Sequence, residues 1–373
     1  MTIKKTDLNV LEIQNLCGFI PETNIEYVET LHCNVSTAPK TIKMKTILNR
    51  LINHEMLSKE EAKSVLFNIS KGSYNPSQIA SFLTVYMMRS ISIEELAGFR
   101  EALQELCIKV DLSDYNTIDL CGTGGDGKDT FNISTLAAFV AAGAGIKVAK
   151  HGNYGVSSIS GSSNVLEKVG VKFSNDSDFL KKCIDQAGIC ILHAPLFHPA
   201  MKNVGPIRKE LGIRTFFNML GPMINPSFPK NQLVGVYNLE LARKYAYLYQ
   251  NTDINYTILH SLEGYDEISL TCPTKTITKS MEGILKPEDF GVRQLSQNEI
   301  EGGKTIDESA AMFMNIISGI GSEAQNNVVC ANAGMAIATV TKCSPLEGFT
   351  IAKESLVTKK GLAALKKLQE LSK

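Results

Sequence analysis

The 373-residue chain has no tryptophan, only six histidines and no excess of either charge, with 38 Lys+Arg against 38 Asp+Glu. The missing tryptophan excludes nothing by itself. The charge balance does more: nucleic-acid binders usually carry a basic excess, and a membrane surface attracts the same, so neither is an expected partner. The nine cysteines are odd in number and contain no C-x-x-C. That argues against a disulfide framework or a zinc ribbon and for reduced thiols, hence a cytoplasmic protein. His32, His54, His151, His193, His198 and His260 fall into no metal-ligand spacing, and neither H-E-x-x-H nor G-x-S-x-G occurs. Long apolar runs are lacking too. Residues 136–149 form the most apolar stretch, but Gly143, Gly145 and Lys147 interrupt it and it is too short to span a bilayer. Met1–Asp7 leads into no apolar segment, so no signal peptide is expected.

What remains is an ordinary globular composition, 44% hydrophobic and 20% charged. It is enough for two domains or one large one. Residues 1–40 are polar and weakly periodic, an extension of unknown role. From Thr41 to about Leu112 the pattern is helical. Ser58 with Glu61 and Ser92 with Glu95 make capping boxes, and Asn75-Pro76 reads as N-cap and first helical residue. After Asn116 short apolar runs (117–121, 146–149, 189–192, 233–237, 256–259) alternate with helical patterns. This predicts an α/β unit with a mainly parallel sheet over 113–198 and 221–373. The basic helical segment near 199–220 is expected to complete the first, all-helical unit.

The strongest local signal is Asp119-Leu-Cys-Gly-Thr-Gly-Gly-Asp126-Gly127, a strand running into four glycines and then a helix near 130–143. Glycines let backbone N–H groups approach a ligand, and the helix start adds its free N–H groups, so the loop suits phosphate. Gly122, Gly124 and Gly127 satisfy G-x-G-x-x-G, but the next strand ends in Lys150-His151 rather than an acid, and Asp126 would repel a bare pyrophosphate. A dinucleotide is therefore disfavoured. Gly127-Lys128-Asp129 also fails the Walker pattern.

Companions surround this loop. Thr130, Asn132, Ser134 and Thr135 follow within about a turn of helix. Beyond the second strand, Lys150-His-Gly-Asn153 and Ser157, Ser158 and Ser162 join one cation to a run of hydroxyls, where open α/β sheets bind ligands. The adjacent Asp266-Glu267 is a solvated turn when alone; beside a pyrophosphate it becomes a site for Mg²⁺, which bridges carboxylate to phosphate. Arg208 and Arg214 lie on a basic helical segment, and an arginine can hold a carboxylate bidentately.

In order and spacing, Cys121–Gly127, Thr130-Phe-Asn-Ile-Ser-Thr135, Lys150–Asn153, His198-Pro-Ala-Met-Lys202 and Arg214–Pro222 resemble the anthranilate phosphoribosyltransferase family, from about Lys43 to the C-terminus. The resemblance implies a small helical domain, a large α/β domain and an active site in the cleft between them. It implies homodimers joined through the helical domains, and a step of tryptophan biosynthesis. In that reaction the phosphoribosyl group of phosphoribosyl pyrophosphate (PRPP) passes to the amine of anthranilate. Gly122, Gly125, Asp126, Thr130, Asn132, Ser134, Thr135, Lys150, Ser157, Ser158 and Ser162 are then the expected PRPP contacts. Gly122, Asn153 and Arg208 are the anthranilate contacts, and Ser134, Asp266 and Glu267 the Mg²⁺ ligands. Lys150, Asp266 and Glu267 carry the chemistry. The chain departs from the family at Tyr154, usually Arg, and at Asn164, usually Asp. A nucleoside phosphorylase of similar architecture and a non-catalytic nucleic-acid-binding relative are the alternatives. The first needs no acidic metal pair, and the second should show a damaged loop and a basic surface.

Overall fold

In the computed structural model of the protein, residues 43–155 and 159–372 are described. The extension 1–40, Ser157 and Ser158 lie outside them.

Four helices come first: α1 (Met44–Ile52), α2 (Lys59–Ser70), α3 (Pro76–Met88) and α4 (Ile93–Leu106). Each of the last three starts on the cap read from sequence. Ser58, Asn75 and Ser92 accept the N–H of Glu61, Gln78 and Glu95, and those side chains return the bond. Glu95 does more than cap. It is fully buried, and it accepts the N–H of Leu57 (3.0 Å), the hydroxyl of Tyr86 (2.9 Å) and the guanidinium of Arg89. One carboxylate thus ties α3, α4 and the α1–α2 turn together.

Beyond Asn116 the chain builds a seven-stranded sheet in the order β3-β2-β1-β4-β5-β6-β7. The strands are β1 (Ile118–Gly122), β2 (Val148–Gly152), β3 (Ile189–His193), β4 (Asn231–Gly235), β5 (Asn255–Ser261), β6 (Thr274–Thr278) and β7 (Glu282–Leu285). The first five pair in parallel, as expected. β6 and β7 form an antiparallel hairpin on the β5 edge that the sequence reading did not predict. Their run, Thr-Lys-Thr-Ile-Thr and then Glu-Gly-Ile-Leu, is too polar to stand out by apolar content; its alternating burial appears only once β5 is beside it. The C-terminal region is helical: α10 (Ile306–Ile317), α11 (Glu323–Thr341), α12 (Pro345–Val357) and α13 (Lys360–Leu371). Earlier helices are α5 (Ile133–Gly143), α6 (Ser162–Lys168), α7 (Ser177–Ala187), α8 (Gly205–Leu211) and α9 (Leu239–Tyr249).

Two cores result. One lies under α5, α7 and α10–α13 on one side of the sheet. The other joins α1–α4 to the 200–224 segment and, through Tyr245, Tyr249 and Val234, to β4, β5 and α9. The segment near 199–220 therefore packs with the N-terminal helices, as its pattern suggested. Strand order reverses between β1 and β4, and a crevice opens at such a switch point beyond the carboxyl ends of the strands. The glycine loop leaves β1 at that point.

Removing the Glu95 carboxylate should leave the buried Arg89 charge and three other donors without a partner. Glu95→Ala is expected to lower unfolding free energy by about 3–5 kcal/mol in urea denaturation; a loss under about 1 kcal/mol would show that the network does not hold the bundle.

Candidate active site

β1 and β4 end in register on two glycines, Gly122 opposite Gly235. Both are needed because residue 266 passes over them. A Cβ on Gly122 would lie 2.2 Å from Asp266 Oδ2, and one on Gly235 would lie 1.4 Å from the Asp266 carbonyl oxygen. Past Gly122 the backbone turns with positive φ at Gly124, Gly125 and Gly127. The turn aims N–H groups inward, and Gly124 donates to Asp266 Oδ2 at 2.6 Å. The next free N–H groups belong to the start of α5, where Ser134 donates to Glu267 Oε1 at 2.8 Å. The two acids expected to stand by the glycine loop are therefore seated on it.

The acids reach this place through a tight turn after β5. Gly264 N–H bonds to Ser261 O, Ser261 Oγ donates to the Glu267 carbonyl, and Asn332 of α11 clamps Ile268 from both sides of its peptide. Ser261 and Asn332 are buried. Asp126 completes the acidic group. Burial raises all three carboxyls, Asp266 well above the usual range, with its neighbours' charges adding to the effect. Glu267 is pushed up to about 7, chiefly by burial. Among the described residues none of the three has a lysine or arginine at ion-pair distance.

One cavity of about 800 Å³ takes in the whole set. Its walls include Gly122, Gly125, Asp126, Thr130, Asn132, Ser134, Thr135, Lys150, Asn153, Ser162, Arg208, Asp266 and Glu267, which are all the expected site residues except the undescribed Ser157 and Ser158. Asn132 does not cap α5 with its side chain; its amide instead donates to Ser160 O, tying the start of α5 to the segment before α6. Thr130 stands outside the helix predicted for it, bridged to Glu301. Lys150 is buried and donates to Leu120 O at 2.6 Å. Burial lowers its pKa, while Asp119, Cys121 and Glu267 favour its charge.

At the two departures from the family pattern, Asn164 Oδ1 accepts the N–H groups of Gly155 and Gly161, both at 3.0 Å, closing the base of the loop without a charge. Tyr154 turns away to bond Glu167 and packs its ring on His193. Neutral groups at both positions thus leave the loop base hydrogen-bonded.

The far wall is apolar: Pro195, Pro199, Met201, Phe217 and Ile224. Arg208 reaches it over the Phe217 ring at 5.3 Å and donates to Asn218. Among the described residues its buried Nε has no hydrogen-bond partner. Two residues the sequence reading left unassigned, His151 and His198, also line this wall, with rings 5.2 Å apart. Burial, foremost, brings them down to about 3 and about 4, so both are neutral. Among the described residues His151 Nε2 has no hydrogen-bond partner. The two histidines are 47 positions apart, beyond any spacing rule; only the conjunction with two substrate motifs could have flagged them. Lys128 is a further cavity residue, its ammonium over the Tyr265 ring at 4.6 Å.

The chain belongs to the glycosyl transferase family. The helical bundle domain of that family matches residues 45–107 and its a/b domain residues 114–364. More narrowly, the chain belongs to the anthranilate phosphoribosyltransferase family. It is 82% identical over 329 residues to the anthranilate phosphoribosyltransferase of Flavobacterium johnsoniae, covering 88% of this chain and all of that one. The Saccharomyces cerevisiae enzyme in complex with PRPP and Mg superposes with a TM-score of 0.80 at 28% identity, covering 88% and 97% of the two chains. The same enzyme with 4-fluoroanthranilate gives 0.78 at 26% identity and the same coverage.

A carboxyl raised by burial stabilises the fold by keeping its proton. For Glu267 that contribution is complete below its unfolded value near 4.5 and is lost as pH rises through about 7. Metal-free protein should therefore lose thermal stability between about pH 5 and 7.5 relative to Glu267→Gln. Parallel melting curves across that range would contradict the shift.

Proposed function

We propose that the chain transfers the 5-phosphoribosyl group of PRPP to the amine of anthranilate and releases pyrophosphate. The observation that carries this reading is the seating of Asp266 and Glu267 on the N–H groups of Gly124 and Ser134, opposite Arg208 and its apolar wall.

The acid cluster fits a hard divalent cation. Three clustered carboxylates with no lysine or arginine at ion-pair distance among the described residues repel one another when ionised until a cation stands between them. Among the described residues no three His, Cys, Asp or Glu side chains form a ready metal cage. Mg²⁺ needs only one or two carboxylates from protein and fills the rest of its shell with water and substrate phosphate. Ser134, Asp266 and Glu267 would hold it, and its chemistry would be charge neutralisation of the diphosphate.

The chain's own groups do the rest. The N–H groups of the Gly122–Gly127 turn and of the α5 start that Asp266 and Glu267 do not occupy stabilise negative charge as the bond from ribose C1 to diphosphate breaks. Lys150 adds positive charge beneath the same turn. Thr130, Asn132, Thr135, Ser157, Ser158 and Ser162 orient the phosphates and sugar. Arg208 takes the anthranilate carboxylate, for which its unpartnered Nε is available, while Gly122 and Asn153 approach the ring from the sugar side. Neutral His151 and His198 can each share a hydrogen bond with the acceptor without adding charge. The anthranilate amine is neutral at pH 7, so its lone pair forms the C1–N bond directly, and the proton that leaves it needs no strong base. Holding two substrates in line can supply about 7–11 kcal/mol of the rate enhancement. We further read residues 41–112 with 199–220 as one domain and 113–198 with 221–373 as the other, with the cleft between them closing to exclude water. The enzyme is taken as a cytoplasmic homodimer. No helix among the described residues is long and apolar enough to cross a membrane.

Loss of anthranilate fluorescence in the presence of PRPP and Mg²⁺ tests the reaction. The double variant Asp266→Asn, Glu267→Gln should reduce turnover at least a hundredfold; turnover with an ordinary Mg²⁺ requirement would remove both residues from the metal site. Arg208→Ala should raise the anthranilate KM tenfold or more and leave PRPP binding intact, and an unchanged KM would place the acceptor elsewhere. A nucleoside assayed with inorganic phosphate in parallel separates the phosphorylase alternative.

A further inference from the structure

The segment that carries Arg208 also touches the diphosphate side of the site. Gly212 ends α8 in the left-handed conformation, and Arg214 then extends toward the glycine loop. A Cβ on Gly125 would meet Arg214 Cδ at 3.0 Å, Nε at 3.2 Å and Cζ at 3.5 Å; one on Gly127 would meet Nη2 at 3.6 Å. The arginine therefore lies along the bare face of the turn, and its charge acts on Asp126. Among the described residues it has no hydrogen bond and no ion pair, and its other neighbour is the Tyr237 ring at 6.0 Å. An exposed guanidinium with no carboxylate partner, laid against a loop built for an anion, is available to that anion's field.

Asn218 connects this arginine to the acceptor wall. Its Oδ1 accepts both Arg208 Nη2 at 3.1 Å and the N–H of Thr215 at 3.2 Å, and its own N–H returns to Thr215 O at 3.0 Å. Thr215 is buried and directly follows Arg214. Four residues thus run from acceptor to diphosphate loop through hydrogen bonds and one peptide link.

We propose that Arg214 is a positioning residue for the diphosphate loop, filling the face Gly125 leaves bare and coupling that loop through Thr215 and Asn218 to Arg208, so that filling one substrate site tightens the other. This rests on the function proposed above. Binding of either ligand orders the shared segment, and the second ligand then meets it already ordered.

The test is a two-ligand titration of the full chain, with Mg²⁺-pyrophosphate and anthranilate as probes, beside the turnover assay. For the wild type, pyrophosphate should raise anthranilate affinity severalfold, and anthranilate should raise pyrophosphate affinity by the same factor. Arg214→Ala should weaken pyrophosphate about tenfold, leave anthranilate affinity for the free protein unchanged, and bring the coupling factor close to one. Arg214→Lys should recover most of the pyrophosphate affinity, a rescue that a purely space-filling role would not show. If Arg214→Ala fails to fold, Arg214→Gln carries the same comparison. Wild-type affinities and coupling in the alanine variant overturn the proposal while leaving the transferase reading in place. A wild-type chain that consumes no anthranilate overturns both.

Discussion

Two carboxylates lying on backbone N–H groups at the switch point of the sheet set most of what surrounds them. Asp266 and Glu267 can occupy that place only because Gly122 and Gly235 have no side chains where the 266 backbone and carboxylate cross them. They stay there because Ser261 and Asn332 take up the polar backbone that the crossing would otherwise leave unsatisfied. The arrangement is incomplete electrostatically. Three enclosed acids share one another's repulsion, two of them occupy the very N–H groups a phosphate would use, and burial answers by raising their pKa values. A divalent cation between acids and diphosphate would resolve both problems at once.

The opposite wall follows a different rule. It is built from the helical layer and from a segment, 199–220, that leaves the α/β region to join that layer. Its polar groups include two histidines whose pKa values burial depresses and an arginine whose Nε has no hydrogen-bond partner among the described residues. The acid cluster and this wall are thus complementary in charge and polarity, and the cavity lies between the glycine turn and the apolar wall.

The relation of sequence to fold varies along the chain. Capping boxes at Ser58, Asn75 and Ser92 were legible because they are local hydrogen-bond patterns, and the five parallel strands because buried strands are continuous apolar runs. The hairpin β6–β7 was not, since its residues alternate at the sheet edge and look polar in isolation. Thr130 was placed inside a helix that begins three residues later, where its bridge to Glu301 takes precedence over local propensity. Lys150 was legible as a cation following the second strand, but its place beside the glycine loop, its hydrogen bond to Leu120 and its burial are tertiary facts. The same holds for Tyr154 and Asn164. As residue types they are a lost charge pair; in place, the Asn164 amide closes the loop base and Tyr154 pairs with Glu167.

By itself the sequence determined the glycine turn after the first strand, the helical and α/β character of its parts and the family to which it belongs, because each depends on residues close together in the chain. Only the tertiary structure decided that Asp266 and Glu267 meet a turn about 140 positions earlier, that His151 and His198 share one wall, and that Arg214 lies on Gly125. Those contacts depend on strand order and on which side of the sheet each loop emerges, and no local spacing encodes either.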